Sequence, residues 1–304
     1  MACRNAPPVG GGDRVFIVGQ PIGIFDSGLG GLTVVQAIRR RLPAESIVYF
    51  GDTARVPYGT KSGETVARFA AEDCEFLCRY EPKFIVVACN TASAAALPTL
   101  SRRFRLPILG VIEPGARAAE SVCDGRPIGI LGTERTIASG AYRRAIERRV
   151  PGARLVEKAC PLLVPLVEEG RGPHDPVVKA VLQEYLRPMI EAGVGSVVLG
   201  CTHYPLIKEG IADALGPDVH LVDSAEAVVE EVAYLLTTYG LLEPSGRGGM
   251  RLFVSDNPER FQVVGRRFLG EDIPPVTHVS PEDFFGGPPC DGGPPCDGTP
   301  EEGA

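Results

Sequence analysis

Residues 84–93 read FIVVACNTAS, and residues 196–205 read SVVLGCTHYP. Each opens with an apolar, β-branched run of the length of a strand buried on both faces. Each then reaches a cysteine and a polar stretch suited to a helix start. Two further pairs flank them. PIGIFDSG at Pro21 answers PIGILGTE at Pro127, and LPILGVIEPG at Leu106 answers VHLVDSAEAV at Val219. The three pairs keep their order and nearly their spacing, which predicts two related halves.

Outward from these pairs, short apolar runs recur at 22–25, 47–50, 107–112, 128–131, 154–156, 219–222 and 251–254. The stretches between them carry helical spacing, as in Val66, Phe69, Ala70, Phe76 and Leu77. Buried strands alternating with amphipathic helices predict an α/β fold. We expect two similar doubly wound α/β domains with largely parallel sheets, related by a pseudo-two-fold axis, with the active site between them. The first comprises 21–112 and 223–285, the second 113–222. A helix, a strand and a return path are expected after Ser224. Residues 1–20 read as a flexible lead. Residues 286–304 contain GGPPCD twice, and sequence so poor in core formers predicts disorder, with Cys290 and Cys296 as exposed thiols.

Composition excludes several classes. With 304 residues, 44% of them hydrophobic, the chain can build two cores. Its net charge is −7 with no basic block, which argues against nucleic-acid binding. No apolar run reaches the roughly 18 residues of a membrane span. The N-terminus lacks the charged start and apolar stretch of a secretory signal, so a cytosolic protein is expected. The nine cysteines are odd in number, irregular in spacing and without a CxxC pair. That fits neither a disulfide framework nor a zinc ribbon. Cys74 and Cys78 stand one helical turn apart and read as buried helix residues. Cys123 and Cys160 read as packing residues, His174, His220 and His278 as surface or core histidines, and the arginines of 143–149 as a solvated helix face.

In open α/β sheets, ligands sit beyond the C-terminal ends of the strands. The first strand ends in Asp26-Ser27-Gly28-Leu29-Gly30-Gly31. Its glycines suit a tight turn, and its exposed carboxylate suits a site. It lacks the ending of a phosphate-binding loop, and GLGG does not fit GxGxxG. Cys89 and Cys201 end equivalent strands of the two halves, so related halves would set them face to face across one cleft. The helix start after each thiol predicts a lowered pKa. Two opposed thiols suit inversion of an α-carbon, one thiolate taking a proton while the other thiol delivers one. Backbone N–H groups and hydroxyls would stabilise the charge that forms beside a carboxylate.

The blocks IFDSGLGGLTV, YFGDTARVPYG, VVACNTASA and VLGCTHYPLI occur in this order, with CPLLVPLVEEG at Cys160 and EPG after Ile112. Together they resemble the signature blocks of the glutamate racemases, over about Pro21 to His278. The cysteine blocks alone mark the wider aspartate/glutamate racemase superfamily. The resemblance implies Cys89 as the base toward D-glutamate and Cys201 as the base toward L-glutamate. It implies that Asp26 assists Cys89, and that His203 and Glu168 assist Cys201. Ser27, Tyr58, Gly59, Asn90, Thr91 and Thr202 would bind the substrate, together with Asp26 and His203. It also implies glutamate as a small-molecule substrate, no cofactor, no metal, a homodimer, and supply of D-glutamate for peptidoglycan in the bacterial cytoplasm.

Three rivals stand beside this reading. An aspartate racemase would keep the cysteines and change the pocket. A hydrolase would need one nucleophilic cysteine, and the phosphatase spacing from cysteine to arginine is absent after both thiols. A two-lobed ligand-binding protein would not require thiols at matched strand ends.

Overall fold

The computed structural model describes residues 19–280 together with Asp283 and Phe284. The expectations for residues 1–18 and for the repeated tail, with Cys290 and Cys296, lie outside the described residues.

β-branched and aromatic runs form strands where turn residues bound them. In chain order these are β1 (Ile22–Asp26), β2 (Ile47–Gly51), β3 (Phe84–Val87), β4 (Ile108–Gly110) and β5 (Ile128–Gly132). Then follow β6 (Leu155–Ala159), β7 (Ser196–Gly200), β8 (His220–Asp223), β9 (Met250–Val254) and β10 (Val276–His278). One sheet has the order β10-β9-β2-β1-β3-β4, the other β6-β5-β7-β8. Every pairing is parallel.

The segment β2-β1-β3-β4 of the first sheet repeats the order of the whole second sheet. Each half therefore winds to one side of its first strand and then crosses to the other. The switch points fall between β1 and β3 and between β5 and β7. These are the places where an open α/β sheet leaves a crevice for a ligand.

Strand alternation feeds two faces. Ile22 and Ile24 of β1 enter one buried cluster, and Phe25 enters another. The second is covered by α2 (Gly63–Cys78) and α3 (Asn90–Arg103), which pack on each other. The first is covered by α1 (Leu32–Arg41), by α10 (Ser224–Tyr239) and by α11 (Pro258–Leu269). This cluster continues through Val197 and Leu199 of β7 into the second half. A shared apolar core of this kind ties the halves together more firmly than a polar interface would. Cys74 and Cys78 are buried on α2, as their spacing predicted.

Two details differ from the sequence reading. The strand expected over 107–112 stops at Gly110, because Val111 is already the N-cap of α4 (Ile112–Ser121). β10 was not foreseen: its three residues are half-buried or exposed at a sheet edge and carry no apolar run. Among the described residues no helix is long and apolar enough to cross a membrane.

Candidate active site

β1 ends in Asp26, whose carboxylate was read as exposed but is fully buried, since the β1 end is covered by the turn that follows and by the second half. Its Oδ2 accepts a bond from the Gly28 N–H at 3.1 Å, while Oδ1 is buried with no hydrogen-bond partner. Burial raises its pKa, against the opposing charge of His203 and the N–H groups of Gly31 and Gly28. The glycines that follow form the turn read there, with no positive φ at Gly28, Gly30 or Gly31. What they provide is close approach. A Cβ on Gly30 would lie 2.1 Å from Thr202 Oγ1 and 2.6 Å from His203 Nδ1. The first turn of one half is thus seated directly on the cysteine loop of the other. Thr33 Oγ1 adds to the contact, at 3.1 Å from the Thr202 carbonyl oxygen.

β3 delivers Cys89, which caps α3: its Sγ accepts from the Ala92 N–H at 3.4 Å. Ser27 Oγ lies 3.7 Å from the same sulfur. A helix start was expected to lower this thiol's pKa. Instead, burial and the neighbouring Asp26 charge push it up to about 12, outweighing the Ala92 N–H and the Ser27 hydroxyl.

β7 delivers Cys201, also buried, with His203 Nδ1 3.9 Å from its Sγ. His203 Nε2 meets Glu168 Oε1 at 3.0 Å. Glu168 is the last residue of the short helix α7 (Leu163–Glu168), and the imidazole stands edge-on to Phe268 of α11. Burial by itself would depress the imidazole, but its bonds to Cys201 and Glu168 lift it to about 10. Burial would likewise raise Glu168, and the His203 bond and charge, with Arg260 farther off, hold it below its ordinary value. His203 therefore stays an imidazolium through neutral pH.

Both thiols open into one cavity of about 460 Å³, walled also by Ser27, Tyr58, Gly59, Asn90, Thr91, Thr202, His203 and Glu168. Of the residues singled out by sequence, only Asp26 is not on this wall; it lies buried beneath it. Tyr58 contributes no free hydroxyl. That group is bonded to Asp52 and lies 3.1 Å from Asp73 Oδ2, in a buried cluster with Arg55. The Asn90 amide is also engaged on both sides. Its Oδ1 accepts from Tyr142 O–H at 2.6 Å, and its Nδ2 reaches Ser224 Oγ at 3.4 Å.

Sequence reasoning missed Thr133, which lines the cavity and lies 3.0 Å from Thr91 Oγ1. The signal was present: aligning PIGILGTE on PIGIFDSG sets Thr133 opposite Ser27. Glu134, Val164, Glu169 and Arg260 also line the cavity; the first three fall within the quoted blocks PIGILGTE and CPLLVPLVEEG, but no role was read for them. Cys160, read as a packing residue, is buried, and the Tyr204 hydroxyl donates to its carbonyl oxygen at 3.2 Å. Among the described residues, no group of three or more His, Cys, Asp or Glu is placed to hold a metal ion.

The family model for Asp/Glu/hydantoin racemases matches residues 22–232. The glutamate racemase of Geobacter metallireducens is 52% identical over 264 residues, spanning 86% of this chain and 97% of its own length. The solved glutamate racemase of Thermus thermophilus, in complex with β-chloro-D-alanine, is 49% identical and superimposes with a TM-score of 0.78, over 86% of this chain and 98% of the other. That of Francisella tularensis, in complex with D-glutamate, is 38% identical with a TM-score of 0.80, over 86% and 97%. Fold, paired strand-end thiols and these relatives agree: the chain belongs to the glutamate racemases, a family of amino-acid racemases.

Proposed function

We propose that the enzyme interconverts L- and D-glutamate by two-base proton transfer between Cys201 and Cys89, with no cofactor. One observation carries the reading. Two buried thiols end equivalent strands of two sheets and open into the same cavity, each beside its own ionisable partner.

In the L-to-D direction the Cys201 thiolate takes the α-proton, so a C–H bond breaks and an S–H bond forms. The Cys89 thiol then delivers its proton to the opposite face of the carbanion. This turnover leaves Cys89 as thiolate and Cys201 as thiol, the form that accepts D-glutamate. The raised pKa of Cys89 suits it to begin as the proton donor, and His203 Nδ1 stands 3.9 Å from the Cys201 sulfur. Asp26, buried beneath the wall, acts on the Cys89 thiol through its charge. Ser27, Thr91, Thr133 and Thr202 supply the polar lining that would hold the amino and carboxylate groups. The names of the relatives supply the substrate, and the D-glutamate bound in the Francisella tularensis enzyme supports it.

We further adopt 21–112 plus 223–285 and 113–222 as the two domains, since the strands of the two sheets divide along those segments apart from Asp223, the last residue of β8. The homodimer, the bacterial cytoplasm and a role in supplying D-glutamate for peptidoglycan follow the family. Circular dichroism of L-glutamate incubated with reduced protein and no added cofactor tests the central reading, beside an L-aspartate control. The glutamate signal is expected to decay to zero while aspartate holds. Decay of aspartate alone would overturn the substrate assignment, and decay of neither would favour a binding protein.

A further inference from the structure

The cavity wall carries an excess of negative charge. Glu134, Glu168 and Glu169 all line it, and among the described residues the only Lys or Arg that does so is Arg260. Glutamate carries two carboxylates and one ammonium, so it must enter against three acids of its own sign. One of these, Glu168, is committed to His203.

Arg260 is held for this position. It stands in the first turn of α11, where its N–H donates at 3.0 Å to the capping Asn257 Oδ1. The next residue, Phe261, is buried beside Tyr49 and fixes the helix on the first half. The guanidinium reaches toward the second half and lies 3.8 Å from Glu169 Oε1. That pair is loose and solvated, with side chains 51% and 70% exposed. An exposed ion pair of this geometry contributes little as a clasp between the halves. The guanidinium is therefore free to exchange Glu169 for an incoming carboxylate.

Resting on the reading of glutamate as substrate, we propose that Arg260 is a specificity-determining residue at the cavity mouth, offsetting its acids and drawing in the second carboxylate of a dicarboxylic amino acid. Glu169 is its competitor and holds the guanidinium extended when no substrate is bound. The device acts first on capture of the substrate, because Arg260 contacts neither thiol and its charge reaches the Cys201 side only through Glu168. Electrostatic capture of this kind weakens with ionic strength.

The test measures kcat and KM for glutamate at low and high salt in the wild type and in three variants. Arg260→Gln is expected to raise KM roughly three- to tenfold, the scale of one partly solvated charge, with the effect on KM rather than kcat. Arg260→Lys recovers most of the loss. Glu169→Gln lowers KM, because it removes the competitor. The fall of kcat/KM with salt flattens in Arg260→Gln. If Glu169→Gln raises KM as Arg260→Gln does, the pair is a structural clasp and the proposal is overturned. An unchanged KM in Arg260→Gln overturns it equally. Failure of the substrate reading is distinguishable, since it appears as inactivity on glutamate in the wild type.

Discussion

The two strand-end cysteines occupy matching positions in matching sheets, yet their surroundings are opposite in charge. Cys89 has a buried carboxylate below it and a serine hydroxyl beside it. Cys201 has an imidazolium beside it, itself held by Glu168. Repetition of a fold places groups symmetrically, but the field at each group depends on side chains that the repeat does not copy. In the alignment of PIGIFDSG on PIGILGTE, Asp26 falls opposite Gly132. At the matching position the second half therefore has no carboxylate, and a histidine–glutamate pair stands beside its thiol, His203 from the loop after β7 and Glu168 from the end of α7.

The largest expected effect comes from removing either thiol. Cys89→Ala and Cys201→Ala should each lower racemisation by more than about 10³-fold, because neither direction can then be completed. Polarimetry on each purified variant checks this. Substantial turnover in either would break the comparison at its root, since one thiol would suffice.

A smaller effect separates the partners. Asp26→Asn and His203→Asn should each slow turnover roughly 10²-fold, the usual range for general acid–base assistance. L- and D-glutamate have equal free energies in water, so kcat/KM must fall equally in both directions. The asymmetry should appear in the α-deuterium isotope effect. It is expected to grow for D-glutamate in Asp26→Asn and for L-glutamate in His203→Asn. The same isotope effect for both enantiomers in both variants would erase the distinction between the two sides.

The smallest effect is thermodynamic. His203 rises from an ordinary value of 6.5 to about 10 in the fold. Its stabilisation is therefore complete below pH 6.5 and is lost as pH rises through about 10. Glu168 is lowered from 4.5, so its share is present above that value and lost as pH falls through its folded value. Wild type should exceed Glu168→Gln in stability by about 1–3 kcal/mol near pH 6, the range of a charged hydrogen bond, and by less toward pH 10. Urea unfolding at several pH values measures the difference. An excess that grows toward pH 10 would show that His203 is not the group being stabilised.

Much of this molecule was legible in the chain. Strand runs such as 22–25, 47–50 and 128–131 lie within β1, β2 and β5 because burial on both faces demands continuous apolar residues. The repeat and both cysteines were legible for the same reason: strand ends are marked locally. Val111 and Ile112 were misread because an apolar helix start beside a short strand has no period to distinguish it. β10 was invisible because an edge strand of three residues can pair without an apolar run.

What the sequence by itself determined is the α/β alternation, the doubling, and the identity of the two thiols, since each rests on residues close together in the chain. What only the tertiary structure decided is how those thiols differ. The net rise of the Cys89 pKa, the engaged Asn90, and Arg260 at the mouth all depend on residues far apart in sequence. Burial and charge act through space, and a strand pattern records which residues are buried without recording what they are buried beside.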